Sequence, residues 1–451
     1  MIKLIILLSG DGALVFTALY GTGFAGSGEL PPGEGADTGI LWLALFLLVP
    51  LFASYLLELY NRERKMSRGE HVVRASLALA VTFCILLLSA RVFLPVMIDK
   101  EVLSTALVLF GCLQFLWHTA YRGLMSSPRL ARKVLVLGTG PLASKMGELI
   151  TTAGNRHVLQ GYVPLPSEPV HVPSHAIVGK GDGIAETVTK ERAQKLVISL
   201  TERRESFPVR DVLTLKFRGV EVVDAPSFYE EMTGKLLIEN ITPSWFIFSS
   251  GFRMTTAMRV YKRAFDLFFS GVGLLIALPL FPLIALAIKI DSRGPVFFRQ
   301  ARVGERERVF MICKLRTMHQ DAENGTGAVW AQVNDPRVTR VGRFLRKTRL
   351  DELPQLYNTL VGDMSFIGPR PERPVFVEQL KKIIPFYSER HFVKPGITGW
   401  AQIRYSYGAS VEDAIEKLRY DLYYIKNLSL WIDLVIILET VKVILFGRGA
   451  R

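Results

Sequence analysis

The chain has 451 residues, a net charge of +14 and a hydrophobic content of 49%, which excludes a small single-domain soluble protein. This length predicts two or three domains, and a mean hydropathy of +0.27 predicts membrane segments. The excess of lysine and arginine indicates anionic partners such as lipid headgroups, phosphates or nucleic acid. The three cysteines form no CxxC pair, so neither a disulfide framework nor a thiolate zinc site is indicated.

Four apolar segments occupy the first 121 residues, and each approaches the roughly 20 residues that a transmembrane helix needs. The loop over 60–71 is basic and the loop over 26–39 carries only acids, so the N-terminus and everything after Tyr121 are predicted to be cytoplasmic. Buried helices of a soluble bundle are the alternative. Asp11 weakens the first span and would have to face the interior of the bundle. The segments run approximately over Leu4–Tyr20, Ile40–Leu57, Ala75–Leu94 and Val102–Ala120.

An α/β module is predicted to follow the basic linker. Lys133–Leu137 has the pattern of a buried parallel strand, Gly138-Thr139-Gly140 forms a tight turn, and a helix begins at Pro141. The pattern G-x-G-x-x-A resembles a Rossmann first turn, whose helix amides hold a phosphate. The next strand, LQGYV, is followed by Pro164 and has no acidic residue for a ribose, and KLVISL supplies a later strand. We therefore predict a degenerate or regulatory Rossmann-like module, with a working dinucleotide site as the alternative.

A second kind of membrane segment lies in the C-terminal half. The stretch from Leu267 to Ile288 holds 22 uncharged residues, which as a helix would be about 33 Å long and sufficient to cross a bilayer. Pro279 and Pro282 interrupt its middle, and both of its flanks are basic. Because a crossing helix should have asymmetric flanks and a proline kinks a helix, we predict a re-entrant hairpin over about 264–290.

The segment RLDELPQLYN sets two adjacent carboxylates, Asp351 and Glu352, after a stripe of arginines. A solvated turn is the ordinary interpretation of such a pair. In a cationic domain beside a membrane hairpin, however, the pair can supply phosphoryl chemistry with a nucleophile or a Mg²⁺ site. Pro354 fits the first turn of a helix. Basic candidates for holding phosphate in this region are Arg302, Lys314, Arg316, Arg346 and Arg370, the last of them on a Pro-Arg-Pro turn.

Seven blocks over about residues 261–446 resemble the bacterial sugar transferase family, the monotopic phosphoglycosyl transferases or polyprenyl glycosylphosphotransferases. The preceding spans and the Rossmann-like module are similar to its large members, and MTGKLLIENITPSWFIFSSGF resembles the EpsB-type exopolysaccharide initiating transferases. The blocks are KRAFD with the later ALP, DSRGPVFFRQARVG, KLRTM, DPRVTRVGRFLRKTRLDELPQLYN, GDMSFIGPRPE, VKPGITGWAQ and YDLYYIKNLSLWIDL.

This resemblance implies a reaction in two steps. Asp351 attacks the β-phosphate of a UDP-sugar, releases UMP and keeps a phosphosugar, which polyprenyl (undecaprenyl) phosphate then removes. Glu352 is the partner of Asp351, both carboxylates are candidate ligands of a required Mg²⁺, and Arg346 and Arg370 match phosphate-site arginines of the family. Lys314 and Arg316 match the KLRTM block. The implied pathway is exopolysaccharide or surface glycan synthesis at the bacterial inner (cytoplasmic) membrane.

The chain departs from the family pattern at two places. Leu278 replaces the serine that commonly precedes the proline of the hairpin, so the break at Pro279 needs another capping group. IRYSYG replaces an Asn-Gly-Arg segment, where Arg404 is a candidate substitute for binding substrate.

The predicted architecture is a membrane protein of mixed α and α/β structure. It consists of a four-helix transmembrane bundle over 1–121, a Rossmann-like module over 122–250, and a monotopic catalytic domain over 251–451. The expected partners are a UDP-sugar, polyprenyl phosphate and membrane lipids, with a homo-oligomer left open and no nucleic acid. Two other functions stay open: an NAD(P)-dependent nucleotide-sugar-modifying enzyme and a non-catalytic membrane scaffold. The missing ribose acid and the lack of a nearby YxxxK pair count against the first of these.

Overall fold

A computed structural model provides the structure of the protein. The chain divides into two compact units, Met1–Ala131 and Arg132–Arg451, which are described separately. The residues described are 2–22, 36–60, 67–92, 100–125, 131–152, 157–165, 168–179, 183–200, 207–320, 322, 335–405, 408 and 410–446.

The first unit consists of helices that coincide with the apolar segments expected from the sequence. Helices long and apolar enough to cross a membrane cover Gly69–Ser89 and Glu101–Leu124, and shorter apolar stretches cover Ile6–Leu19 and Leu43–Leu56. The protein is therefore a membrane protein. The helices are α1 (Ile2–Gly21), α2 (Ala36–Leu56), α3 (Arg68–Val92) and α4 (Lys100–Met125).

A buried carboxylate ties three segments of this unit together. Asp11 of α1 is fully buried and accepts hydrogen bonds of 2.6 Å from the Tyr60 hydroxyl, beyond α2, and from Nε2 of Gln114 on α4. The His118 Nε2 atom lies 3.1 Å from the same carboxylate. The acid thus faces the interior of the helix cluster, as membrane burial requires.

The second unit begins with the predicted Rossmann-like module. Its parallel sheet has the strand order β2-β1-β3-β4, and β1 is a continuous apolar run because helices cover both faces of the sheet. The elements are β1 (Arg132–Leu137), α5 (Pro141–Thr152), β2 (His157–Val163), α6 (Ile184–Lys190), β3 (Lys195–Ile198), α7 (Val209–Phe217), β4 (Glu221–Asp224) and α8 (Ala225–Thr233).

The remaining elements form a mainly helical domain around two short sheets. Strands β5 and β6 pair antiparallel, and β7 pairs with β8 in parallel. The elements are α9 (Pro243–Phe248), α10 (Thr256–Ala277), α11 (Leu280–Asp291), β5 (Phe297–Val303), β6 (Val309–Leu315), α12 (Arg340–Thr348), α13 (Gln355–Val361), β7 (Ser365–Ile367), α14 (Pro374–Ile383), β8 (Gly396–Thr398), α15 (Trp400–Arg404), α16 (Val411–Lys426) and α17 (Leu430–Phe446).

The apolar segment over 264–290 is a bent helix pair. Helices α10 and α11 meet at an angle of 60°, and the break falls at Leu278 and Pro279, where no side chain caps α11. The proline accounts for the bend because it lacks an N–H and its ring clashes with the preceding turn. Apolar side chains such as Leu275, Ile276 and Leu283 are exposed along the pair, which is the surface expected of a membrane-embedded segment.

The core of this domain includes residues that precede α9. Leu236, Ile238 and Ile241, which follow the module, are buried in one cluster with Leu422 and Tyr424 of α16. The backbone N–H of Leu236 donates to the Arg419 carbonyl. The segment after α8 therefore belongs to the packing of the C-terminal domain.

Truncating Leu236 should destabilise the full-length protein by about 2–5 kcal/mol, because Leu236→Ala leaves a cavity in this core. Leu213→Ala is the matched control, since Leu213 is 47% exposed on α7. Thermal unfolding in lipid nanodiscs measures both variants. Equal losses of stability for the two would contradict the assignment of Leu236 to the core.

Candidate active site

Asp351 and Glu352 lie on a single 3-10 turn, Leu350–Glu352, between α12 and α13. The left-handed backbone of Arg349 (φ 57°) ends α12, and Pro354 caps the start of α13. Both carboxylates are only 9% exposed. The pair is therefore not a solvated turn, and its charges must be balanced by neighbouring groups.

Glu352 is neutralised by two cations from distant parts of the chain. Nη2 of Arg370 donates to its Oε1 at 2.5 Å, and Nζ of Lys314, on β6, lies 3.6 Å from the same oxygen. Burial alone would raise the pKa of Glu352, but Arg370 and Lys314 hold it well below the usual range. Burial also lowers the pKa of Lys314 to about 8.

Asp351 has a different electrostatic environment although it is the adjacent residue. Burial, together with the charge of Glu352, raises the pKa of Asp351 to about 6, while Lys314, Arg370 and Arg346 oppose that shift. Within the described part of the chain, no hydrogen bond or ion pair reaches its carboxylate. Asp351 is thus mainly ionised at neutral pH without direct pairing, which suits a nucleophile or a metal ligand.

Helix α10, the first of the bent pair, holds the elements that follow the carboxylates. Arg263 of α10 donates to the carbonyls of Thr359 and Leu360 at the end of α13, at 2.9 and 2.8 Å. Asp266 accepts hydrogen bonds from the Ser365 hydroxyl and the Phe366 N–H of β7, at 2.9 and 2.8 Å. Because the Arg263 contacts satisfy the last carbonyls of α13, α10 fixes the position of α13, the helix that follows the carboxylate turn.

Helix α11, the second of the bent pair, holds α12, the helix that precedes the two carboxylates. The Asp291 carboxylate, at the end of α11, accepts a hydrogen bond of 2.9 Å from the Val341 N–H in the first turn of α12. Arg316 donates at 2.7 Å to the carbonyls of Ser292 and Arg293. The guanidinium of Arg316 is therefore bound to the residues that directly follow α11 and not to the carboxylates.

Asn358 is a positioning residue that the sequence reasoning did not find. Its Oδ1 accepts from the Cys313 N–H at 3.0 Å and its Nδ2 donates to the Met311 carbonyl at 2.9 Å. The amide thus joins α13 to the strand that carries Lys314. An asparagine inside a short helix was the only available signal, since this residue type is unfavourable in helix interiors.

The other predicted residues fall into two groups. Nε of Arg346 donates to the Thr317 hydroxyl at 2.9 Å, and its charge acts on Asp351. Arg302 donates to the Pro371 carbonyl at 3.0 Å, on the turn that carries Arg370. The guanidinium of Arg404 instead stacks 4.5 Å over the ring of Trp400. The structure thus brings Lys314, Arg346 and Arg370 together at the carboxylates. Arg302 of β5 is bound to the turn that carries Arg370, whereas Arg316 and Arg404 lie elsewhere.

The oxygen ligands that the two carboxylates offer fit a magnesium ion that is also bound by a substrate. The described residues contain no group of three or more His, Cys, Asp or Glu side chains able to hold a metal. Mg²⁺ commonly binds through one or two carboxylates plus substrate phosphates. Asp351 and Glu352 provide that number of hard oxygen ligands.

The glycine turn of the module is occupied by a side chain of the protein. Oε2 of Glu168 accepts a hydrogen bond of 2.8 Å from the N–H of Thr139, within the Gly138-Thr139-Gly140 turn that the sequence predicts. A side chain on Gly138 (φ 118°) would meet the same carboxylate. An acidic group at this position repels phosphate, so this contact disfavours a dinucleotide there.

Comparison with known proteins finds similar relatives in several bacteria, including the three that follow. The undecaprenyl-phosphate glucose phosphotransferase of Komagataeibacter xylinus is 37% identical over 342 residues, 71% of this chain and 60% of the relative. A UDP-N-acetylgalactosamine-undecaprenyl-phosphate N-acetylgalactosaminephosphotransferase of Aeromonas hydrophila is 50% identical over 190 residues, 42% of this chain and 45% of the relative. The exopolysaccharide production protein PSS of Rhizobium leguminosarum bv. phaseoli is 42% identical over 190 residues, 40% of this chain and 94% of the relative.

The fold and the site define a membrane protein with a cationic site built around two carboxylates. The family model of the bacterial sugar transferases matches residues 257–447, and the chain covers nearly all of the Rhizobium relative. The chain belongs to the bacterial sugar transferase family. The chain spans about half the length of the first two relatives, at 45% and 60%.

The two carboxylates should affect stability in opposite directions. The native pKa of Asp351, about 6, lies above its ordinary value of 3.8, so its contribution is favourable at low pH and is lost as the pH rises through about 6. Asp351→Asn should therefore stabilise the protein at pH 7.5, by on the order of 2 kcal/mol, and have little effect near pH 4.

The opposite holds for Glu352, whose native pKa is depressed. Its contribution is present above pH 4.5 and is lost as the pH falls, so Glu352→Gln should destabilise the protein at pH 7.5. Thermal unfolding of both variants between pH 4 and pH 8 measures these effects. A loss of stability at pH 7.5 in both variants would show that the environment of Asp351 is not the one described.

Proposed function

We propose that the protein transfers a sugar 1-phosphate from a UDP-sugar to polyprenyl (undecaprenyl) phosphate through a covalent aspartyl-phosphosugar. The observation that carries this proposal is the unpaired, buried carboxylate of Asp351 beside the neutralised Glu352. The relatives support it, since their names specify undecaprenyl phosphate and either UDP-N-acetylgalactosamine or glucose. The proposed product initiates an exopolysaccharide or surface glycan.

In the first step an oxygen of Asp351 attacks the β-phosphorus of the UDP-sugar. A bond forms between that oxygen and the phosphorus, and the bond from the phosphorus to the oxygen bridging the two phosphates breaks, so that UMP leaves with the electron pair. The cations Arg346, Lys314 and Arg370 act electrostatically on Asp351, and they offset the negative charge of the two approaching phosphates.

In the second step a phosphate oxygen of polyprenyl phosphate attacks the phosphorus held by Asp351. The new diphosphate bond forms while the bond to Asp351 breaks, which regenerates the carboxylate. Asp351 leaves as a carboxylate, because its pKa of about 6 lies below neutral pH. No oxidant or reductant is required, in keeping with a site that consists of carboxylates and cations.

Asp351 and Glu352, together with substrate phosphate oxygens, would hold the Mg²⁺ that we propose as cofactor. When bound, this ion neutralises charge on the diphosphate and orients it for attack. Glu352 keeps Oε1 bonded to Arg370, so its contribution to the metal falls to its other oxygen. Asp351 likewise has two oxygens, one for attack and one for the ion.

For the membrane arrangement we propose four transmembrane helices, α1 to α4, and a re-entrant hairpin formed by α10 and α11. The bend of 60° and the apolar outer surface support the hairpin. A re-entrant pair keeps both of its ends, and therefore the carboxylates, on one side of the membrane. The charge of the loops favours the cytoplasmic side of the bacterial inner membrane, where UDP-sugars are available.

Asp351→Asn should abolish the release of UMP and the covalent phosphosugar, because the amide is not a nucleophile. Glu352→Gln should lower the rate by about a hundredfold or more, since it removes the charge that orients Arg370. The assay measures UMP over a panel that includes UDP-N-acetylgalactosamine and UDP-glucose with polyprenyl phosphate, and intact mass spectrometry detects the adduct.

Asp363→Asn is the matched control for this experiment, because Asp363 is an exposed aspartate of the same segment. Its activity should equal that of the wild type. Normal release of UMP by Asp351→Asn would refute the covalent mechanism, and wild-type activity without Mg²⁺ in the presence of chelator would refute the cofactor.

The hairpin is tested with cysteines at its two ends. Arg259→Cys and Arg293→Cys, each in a background without Cys84, Cys112 and Cys313, should react with a membrane-impermeant maleimide from the same side of sealed vesicles. Both positions are exposed, so they can be labelled in the folded protein. Labelling from opposite sides would show that the pair crosses the membrane.

A further inference from the structure

The turn that carries Arg370 is held through its carbonyl groups. The Pro369 carbonyl accepts from the Gly396 N–H, at 2.9 Å, and the Glu372 carbonyl accepts from the Val303 N–H, at 2.9 Å. Between them, the Pro371 carbonyl accepts from Arg302. The two prolines lack an N–H and have a fixed φ. The surrounding elements therefore orient the turn mainly through hydrogen bonds to these carbonyls.

The carbonyl of Arg370 itself is bound by a second, buried arginine. Nη2 of Arg390 donates to this carbonyl at 3.1 Å and to Oδ2 of Asp421 at 2.8 Å, while Nη1 donates to the Tyr387 hydroxyl at 2.7 Å. Arg390 and Asp421 are 6% and 2% exposed. One guanidinium thus joins the Arg370 turn, the segment after α14 and helix α16.

Burying the Arg390–Asp421 ion pair costs desolvation energy, so a gain in stability does not by itself explain why the pair is present. An ion pair of this kind often stabilises no more than apolar residues of the same volume would, and burial raises the pKa of Asp421 to about 6. A geometric role accounts for the arrangement. The planar guanidinium fixes the direction of the Arg370 carbonyl, and with it the base of the Arg370 side chain, whose guanidinium meets Glu352.

We propose that Arg390 and Asp421 are positioning residues, which orient the Arg370 turn so that Arg370 pairs with Glu352 and leaves Asp351 unpaired. This inference rests on the proposed function for its kinetic consequences but not for its structural ones. Neither residue contacts Asp351 or Glu352 directly in the described structure, so their effect must pass through Arg370.

The structural test is hydrogen–deuterium exchange of the full-length protein in nanodiscs. Asp421→Asn weakens the hold on Arg390, and Arg390→Lys retains the charge but lacks the fork needed for three simultaneous contacts. Both should speed exchange in the peptide covering 366–374 while leaving the α13 peptide unchanged. Glu230→Gln is the matched control, because Glu230 forms a buried ion pair with Lys426, five residues after Asp421 at the C-terminal end of α16.

The kinetic test is a double-mutant cycle with Arg370→Ala. Asp421→Asn alone should lower kcat by between about tenfold and a hundredfold with little change in KM. In the Arg370→Ala background, Asp421→Asn should lower kcat by less than about twofold, because the side chain through which Asp421 acts is already absent. Arg390→Lys should retain more activity than Arg390→Ala, and Glu230→Gln should retain full activity.

Unchanged exchange over 366–374, or a loss of kcat that is the same in both backgrounds, would overturn the positioning role. If Asp421→Asn does not fold, Arg390→Lys decides the question by the same two measurements. If the wild-type protein releases no UMP from any donor, the proposed function fails, while the exchange result still determines whether Arg390 and Asp421 orient the turn.

Discussion

The ion pair between Glu352 and Arg370 is the contact on which the rest of the site depends. It joins the turn after α12 to the turn after β7, and it neutralises one carboxylate of an adjacent pair while the other has no partner among the described residues. Neighbouring residues thereby acquire opposite electrostatic environments. Two carboxylates with pKa values shifted in opposite directions are a common arrangement for assigning different chemical tasks to the same kind of group.

The bent helix pair, which we propose to lie in the membrane, also holds the elements on both sides of the carboxylate turn. Its first helix holds the end of α13 and strand β7 through Arg263 and Asp266, and its second helix holds α12 through Asp291. The carboxylate turn therefore lies between two elements, α12 and α13, that are each bound by one helix of the bent pair. A change in the angle between the helices would move α12 relative to α13, which makes the geometry of the site sensitive to the bend at Pro279.

Patterns of neighbouring residues in the sequence predicted the features that depend only on the local backbone. The strand and glycine turn of the module, the helix break at Pro279 and the start of α13 at Pro354 follow from backbone chemistry and agree with the structure. The KLRTM block made Lys314 and Arg316 candidates for holding phosphate, but β6 ends at Leu315. Lys314 lies near Glu352, whereas Arg316 binds the carbonyls of Ser292 and Arg293. Arg390 could not be found in this way, because its function depends on contacts with residues 20 and 31 positions away in the chain.

The Glu168 carboxylate on the glycine turn affects how such motifs are interpreted in other proteins. An internal ligand is present at a high effective concentration, which a free nucleotide must overcome by mass action before it can bind. The glycines remain necessary in such a fold, because the backbone at Gly138 has a positive φ and the Glu168 carboxylate lies where a side chain would project. A glycine pattern can thus persist as a feature of chain folding after its nucleotide has been replaced by a carboxylate of the same chain.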